Sequence, residues 1–435
     1  MKASTAMIVD RTTLSDLFKD PSPASPGAPP GGACALCKGS KMLCGKDRCP
    51  LMVKFYSQSR TRRLMDTLDL YGNSPPAVFV GRFGYPDVDI GPLVPPTLGD
   101  TSVMDTPEMW MGKTIDDIVD FRFSLVRGKH RINVSNFQSC GRMVDYTREL
   151  ALSVNPIDVE AAFQKKPAGR IVLDDEVQPF GPSARLRNLS IGNPKFDQRV
   201  EKAFYDTDLR AVEAVADLYA RGVLVSRIQK AFSVGAFGVE KRRKFVPTRW
   251  SITAVDDILG KALLLRTKMY PTIDEFRVYD WEQLDNRWSV LFLPTTWRYE
   301  LVEAWYPNTA WNPMGKRIEI LSDHEMYEGR KEYAQIGGCY YAARFAVNEL
   351  LTRERRQAGA VIFREAHPGY IMPVGVWNVR ENVRMALRQP PSRFPSLEDA
   401  LGHISKRMDI PLSTWIRHSG VLKDIIYQRR IEDYA

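Results

Sequence analysis

The chain has 435 residues, 44% of them hydrophobic and 26% charged, with a formal net charge of +9. That length exceeds one ordinary hydrophobic core and predicts two or three domains. No apolar run approaches the roughly 20 residues of a membrane helix, and the opening MKASTAMIVDRTTLSDLF has one lysine and no sustained apolar stretch, a poor secretion signal. A cytoplasmic protein without a membrane partner is expected, and the excess positive charge suits a polyanion, since Lys and Arg neutralise phosphates and release counterions.

In chain order, residues 1–33 read as a disordered N-terminus, because KDPSPASPGAPPGGA (19–33) cannot bury enough surface to offset chain entropy. A cysteine cluster fills 34–55. SRTRRLMDTLDLYG (59–72) reads as a short basic helix, AVFVGRF (77–83) as a strand, and GYPDVDIGPLVPP after it as a loop. Helices are expected over 144–164 and 197–235, where apolar residues recur at helical spacing. RWSITAV (249–255), RVYDW (277–281), RWSVLFLP (287–294) and WRYELVEAWYP (297–307) have strand composition. One or two helices are predicted over 325–357, a strand at AGAVIFREA (358–366), and helices at 376–389, at 395–408 with Ser396 as N-cap, and at VLKDIIYQ. Without a clean βαβ rhythm, the fold class is α+β or an irregular α/β: a small four-cysteine module, a mixed sheet-and-helix body and a helical C-terminal tail.

Four of the six cysteines follow the spacing Cys34-x2-Cys37-x6-Cys44-x4-Cys49. Four thiolates this close can surround one tetrahedral ion, and four protein ligands leave no open catalytic position. Zn²⁺ is the expected cofactor. An iron–sulfur cluster, which uses the same thiolate set, is the alternative, and Cys49-Pro50 resembles the Cys-Pro ending of some cluster motifs.

Other polar constellations are candidates for chemistry or binding. Asp87 and Asp89 alternate, so on an extended segment both carboxylates face one side, where a pair could hold Mg²⁺. Adjacent Asp256 and Asp257 read as caps of a helix starting at Ile258. His324 and His367 stand in polar contexts and are candidate bases or metal ligands. Arg60, Arg62 and Arg63 follow the cysteine cluster, and Lys241, Arg242, Arg243 and Lys244 form a second basic run. Both suit phosphate contact, with Phe245, Trp250, Trp297, Trp305 and Trp311 available to stack on bases. There is no P-loop, Gly-x-Ser-x-Gly or HExxH motif, so whether the chain is an enzyme stays open.

The last eight residues, Gln428-Arg429-Arg430-Ile431-Glu432-Asp433-Tyr434-Ala435, resemble a box that docks on the sliding clamp PCNA. One tight turn brings Ile431 and Tyr434 to the same side as an apolar plug, and Gln428 can hydrogen-bond at the pocket rim. Ala435 stands where the box has a second aromatic. The chain as a whole, from about Cys34 to Ala435, resembles the Nre family of archaeal DNA repair proteins. The resemblance rests on the cysteine segment, on VGRFGYPDVDIGPL (80–93), GPSARLRNLSIGNPKFDQRVEKAFYDTD (181–208), VPTRWSITAVDD (246–257) and REAHPGYIMPVGVWNVRENVR (364–384), and on the terminal box. It implies an N-terminal family region over 56–310, a C-terminal one over 311–427, and a DNA-damage-response factor that acts with DNA and PCNA. Three readings are therefore carried forward: a metal-dependent nuclease or lyase acting on damaged DNA, a non-enzymatic DNA-binding adaptor and, less favoured, a factor in RNA processing.

Overall fold

Period-two alternation lays out the first half of the molecule. The computed structural model describes residues 49, 67–137, 141–168, 181–309, 312, 315–370 and 374–427. Six strands form sheet 1: β1 (Asp69–Ser74), β2 (Val78–Val80), β3 (Asp87–Val94), β4 (Val126–Asn133), β5 (Ile157–Phe163) and β6 (Ser183–Ile191). Their order is β1-β5-β6-β4-β3-β2, antiparallel throughout except for β4 with β6. On β5, Ile157, Val159, Ala161 and Phe163 are buried while Asp158 and Glu160 are exposed, the pattern of a sheet with one wet face. The dry face packs on helices α2 (Arg142–Leu152), α4 (Ala211–Ala220), α5 (Val225–Ser233) and α6 (Thr248–Thr267), with Val144, Leu218, Ile228 and Val255 in the shared core. Helix α1 (Ile115–Ser124) precedes β4, and α3 (Gln198–Tyr205) follows β6.

Sheet 2 holds β7 (Phe276–Gln283), β8 (Asn286–Leu293), β9 (Arg298–Trp305), β10 (Glu319–Glu325), β11 (Gly359–Ala366) and β12 (Ser392–Phe394) in the order β10-β9-β11-β8-β7-β12. Only β9 and β11 run parallel. Central strand β11 is buried at every position because both faces are covered. Ala360 and Ile362 meet α7 (Gly338–Glu354) and α8 (Trp377–Ala386). Val361 and Phe363 meet α9 (Leu397–Arg407), α10 (Leu412–His418) and α11 (Gly420–Tyr427).

The two sheets are joined through α6, whose Asp256 and Asp257 are fully buried. Arg380 of α8 donates to both carboxylate oxygens of Asp256, at 2.8 and 3.1 Å. Arg344 of α7 donates to Asp257 and, at 2.9 Å, to Glu325 of β10. The aspartates are thus helix-interior ion-pair partners, and the expectation that they cap a helix at Ile258 is corrected. RWSITAV likewise lies inside α6 and is not a strand. Its β-branched residues favour strands only weakly, and burial against α7 outweighs that preference.

Other expectations shift as well. Asp87–Val94 of the predicted loop is strand β3, its alternation of Asp and β-branched residues obscured by Gly91 and Pro92. Residues 69–72 belong to strand β1 rather than a helix. The 144–164 stretch divides into α2 and β5, and the 325–357 stretch contains one helix, 338–354. Ser396 caps α9 as expected, accepting from the Asp399 amide at 3.1 Å.

Removing one partner of a buried pair leaves the other charge uncompensated, at a cost of about 3–5 kcal/mol. Arg344→Met, which strands Asp257 and Glu325, is expected to lose about that much stability in urea unfolding. Replacing the half-exposed pair Arg221–Asp217 by alanines should change it by less than about 1 kcal/mol.

Candidate nucleic-acid interface

The wet face of sheet 1 carries a cation group that the strand register assembles. Alternation puts Arg127, Lys129 and Arg131 of β4 on that side, and Lys129 pairs with Arg185 of the parallel neighbour β6. Arg131, Arg185 and Arg187 are exposed, while Arg127 and Lys129 are half-buried. Burial and the neighbouring Arg122 lower the Arg127 pKa to about 10 despite the opposing pull of Asp89. The Lys129 ammonium is also held below its ordinary value, by burial first and then by Arg127 and Arg185. His130 shifts down through burial and Arg185. Like charges disfavour each other's charged forms in this way, on top of the larger effect of burial. Towards β1 the balance changes: Asp69 pairs with Arg187 at 3.3 Å, and Asp158 and Glu160 are exposed.

Asp87 and Asp89 do share this face, as their alternation predicts. Asp87 accepts from Asn133 at 3.0 Å, and Asp89 lies 3.7 Å from Arg131. With Lys129, Arg127 and Arg131 around it, Asp89 already has cationic company, so the pair is poorly placed to hold Mg²⁺.

The basic run at 241–244 is stitched to one end of the same sheet. The Phe245 amide donates to Val134 at 3.0 Å, and Val134 donates to Pro86 at 2.9 Å. Lys241, Arg242 and Lys244 are exposed. Arg243 is not available to phosphates: it is buried and donates to the carbonyls of Gly238, Phe204 and Asp206 at 2.6–2.7 Å. Of the proposed stacking residues, Phe245, Trp297 and Trp305 are core side chains. Trp250 is half-buried and sits 5.3 Å from the Tyr85 ring.

The two histidines fall in sheet 2 and do not meet. His324 on β10 lies over the start of α11, where a Cβ on Gly420 would come within 2.7 Å of its ring. His367, just after β11, stacks on Tyr306 at 4.3 Å. It groups with Glu365 and Asp409, their ligand atoms all within 4.8 Å of one another, a set that a divalent ion could use. Each member is already engaged. Glu365 accepts from the amides of Asp409 and Ile410 at 3.1 and 2.8 Å, and Asp409 pairs with Arg287 at 2.6 Å. No hydrogen bond or ion pair among the described residues connects Asp87 or Asp89 with either histidine.

Cys34, Cys37, Cys44, Arg60, Arg62, Arg63, Trp311, Gln428, Ile431 and Tyr434 lie outside the described residues, whereas Cys49 is half-buried. The described chain stops at α11, which sheet 2 holds in place. Buried Glu300 of β9 accepts from the amides of Gly420 and Val421 at 2.8 and 3.0 Å. Arg298 pairs with Asp424 at 2.6 Å.

Residues 43–312 match the family described as Archaeal Nre, N-terminal, and residues 325–434 match Archaeal Nre, C-terminal. The chain belongs to the Nre family. It is 44% identical over 391 residues to DNA repair protein NreB of Archaeoglobus fulgidus, covering 90% of this chain and 97% of the relative. It is 38% identical over 380 residues to NreA of the same organism, covering 86% and 94%. With NreA of Haloferax volcanii the identity is 34% over 389 residues, covering 87% and 92%. No solved structure matches the chain. The two Nre matches divide sheet 2 between them, with β7–β9 in the first, β11 and β12 in the second, and β10 lying between them up to Glu325. No helix among the described residues is long and apolar enough to cross a membrane.

The four residues of the basic run should separate by role. Alanine at Lys241, Arg242 and Lys244 together is expected to leave the melting temperature unchanged and to reduce the salt dependence of DNA binding by roughly 0.7–0.9 in slope per lost phosphate contact. Arg243→Ala, which removes a guanidinium from three carbonyls, should instead cost at least about 2 kcal/mol of stability. Calorimetric melting and salt titrations distinguish the two.

Proposed function

We propose that this Nre-family chain is a DNA repair protein that binds DNA through the wet face of sheet 1 and is recruited to the sliding clamp PCNA through Gln428, Ile431 and Tyr434. The observation that carries the reading is the cation group of Arg127, Lys129, Arg131 and Arg185, which the pairing of β4 with β6 gathers on one face of the sheet. The names of the relatives, DNA repair proteins NreA and NreB, support the repair role. The dispersal of Asp87, Asp89, His324 and His367 over two sheets favours a binding or adaptor role over metal-dependent cleavage. Among the described residues, the Glu365–His367–Asp409 group is the one that speaks for a processing activity, and divalent-dependent cleavage of labelled DNA tests it.

Charge reversal tests the interface. Lys129→Glu with Arg185→Glu should weaken DNA binding at least tenfold at moderate salt, because it replaces two phosphate-binding cations by repulsive charges. Unchanged affinity in a folded double variant would remove the face from the reading.

Clamp recruitment rests on the tail sequence. Deleting 428–435 is expected to abolish PCNA binding in calorimetry and leave DNA affinity intact, since α11 is anchored independently by Glu300 and Arg298. Tyr434→Ala should cost most of the affinity by removing the aromatic of the plug, whereas Gln428→Ala should cost about 0.5–1.5 kcal/mol. For the cysteine module, the same proposal holds Zn²⁺ on Cys34, Cys37, Cys44 and Cys49. Elemental analysis should then find about one zinc per chain, and iron with visible absorption would put a cluster in its place.

A further inference from the structure

The tip between β2 and β3 displays two aromatic rings that lie largely outside the core. Phe83 is 77% exposed and Tyr85 50% exposed, although large apolar side chains normally gain by leaving water. The tip itself is firmly built. Gly81 donates to Asp89 at 2.8 Å, Asp87 donates to Gly84 at 2.9 Å, and the Val80 amide donates to Thr248 of α6 at 2.9 Å. Gly84 has φ +81°, and a Cβ there would come within 2.3 Å of the Arg131 guanidinium, so the turn requires glycine and brings Arg131 against the tip. The Arg82 guanidinium lies over the Phe83 ring at 5.2 Å, and Trp250 supports Tyr85 from the side at 5.3 Å. Two rings are therefore held outwards on an ordered turn, beside the cation face of β4.

A partner that suits this arrangement has flat apolar faces and regularly spaced negative charge. Unpaired nucleotides have both: each base offers a π-face, and each step offers a phosphate. In an intact duplex the bases are stacked on one another and present only their edges in the grooves, leaving Phe83 and Tyr85 nothing to stack on. Because the turn is ordered in advance, little conformational entropy is lost on binding. We infer that the Arg82–Pro86 turn is a base-stacking element that directs the interface to DNA with unpaired nucleotides. The inference rests on the proposed DNA-binding role of sheet 1 and specifies the form of DNA that it takes.

The test uses the full-length protein and fluorescence anisotropy with a labelled single-stranded DNA, its blunt duplex and a single-stranded RNA of the same sequence. Wild type should bind the single-stranded DNA more tightly than the duplex. Phe83→Ala and Tyr85→Ala should each weaken single-strand binding on the order of tenfold, leave duplex binding and the salt slope unchanged, and leave the melting temperature unchanged. Phe83→Trp should restore binding. If the double alanine variant weakens duplex and single strand equally, or neither, while Lys129→Glu with Arg185→Glu weakens both, stacking is overturned and the DNA-binding reading survives. Tighter binding of the RNA by wild type overturns the assignment to DNA. Absence of binding to every probe at low salt overturns the DNA-binding reading and this inference with it.

Discussion

Arg344 is charged, cut off from water and held between Asp257 of α6 and Glu325 of β10, and the relative placement of the two sheets follows from it. A guanidinium taken out of water is costly unless its donors are met, and its geometry admits few alternatives. Arg380 repeats the arrangement with Asp256 one residue earlier on the same helix. Arg364 of β11 pairs with Glu303 of β9 at 2.6 Å, and Arg384 of α8 pairs with Glu349 of α7 at 2.6 Å. Such pairs add little net stability over apolar side chains of the same size. Their effect is to disfavour other registers, since any slip strands a buried charge. Helix α6 is thereby fixed against sheet 2, and its first residue, Thr248, in turn holds the end of β2. The start of the aromatic turn is thus tied to the helix that the buried pairs hold.

Much of sheet 2 was legible in the sequence because β7, β8, β9 and β11 are rich in β-branched and aromatic residues, and the helices that cover them have clear stops. Sheet 1 was less so. Its strands β4 and β6 carry Arg, Lys and Asn at the outward positions, which dilutes the apolar signal that marks a strand. Helix α6 looked like a strand because Trp250, Ile252, Thr253 and Val255 suit both, and only contact with α7 decides between them. Asp256 and Asp257 resemble caps for a related reason: the arginines that hold them lie about ninety and more residues later in the chain, and no local pattern announces them.

The candidate site shows the same limit. The run at 241–244 was visible as charge, yet three of its residues face water and Arg243 braces three carbonyls, a difference created by the folds of the chain around it. Lys129 and Arg185 belong to no run at all and become neighbours only when β4 pairs with β6. Phe83 and Tyr85 could have been picked out as aromatics in a Gly-rich turn. Their exposure, and the arginines beside them, depend on the hairpin geometry.

The position of β11 has a consequence for synthesis. It lies between β8 and β9, which follow one another in sequence but do not pair, and it is made about fifty residues after β9 ends, long enough for several seconds of translation. Until then β8 and β9 each present an open, apolar strand edge, the kind of surface that recruits wrong partners. A ribosome-bound chain ending before Gly359 thus carries a sheet missing its middle, and how soon β11 follows decides how long those two edges stay open.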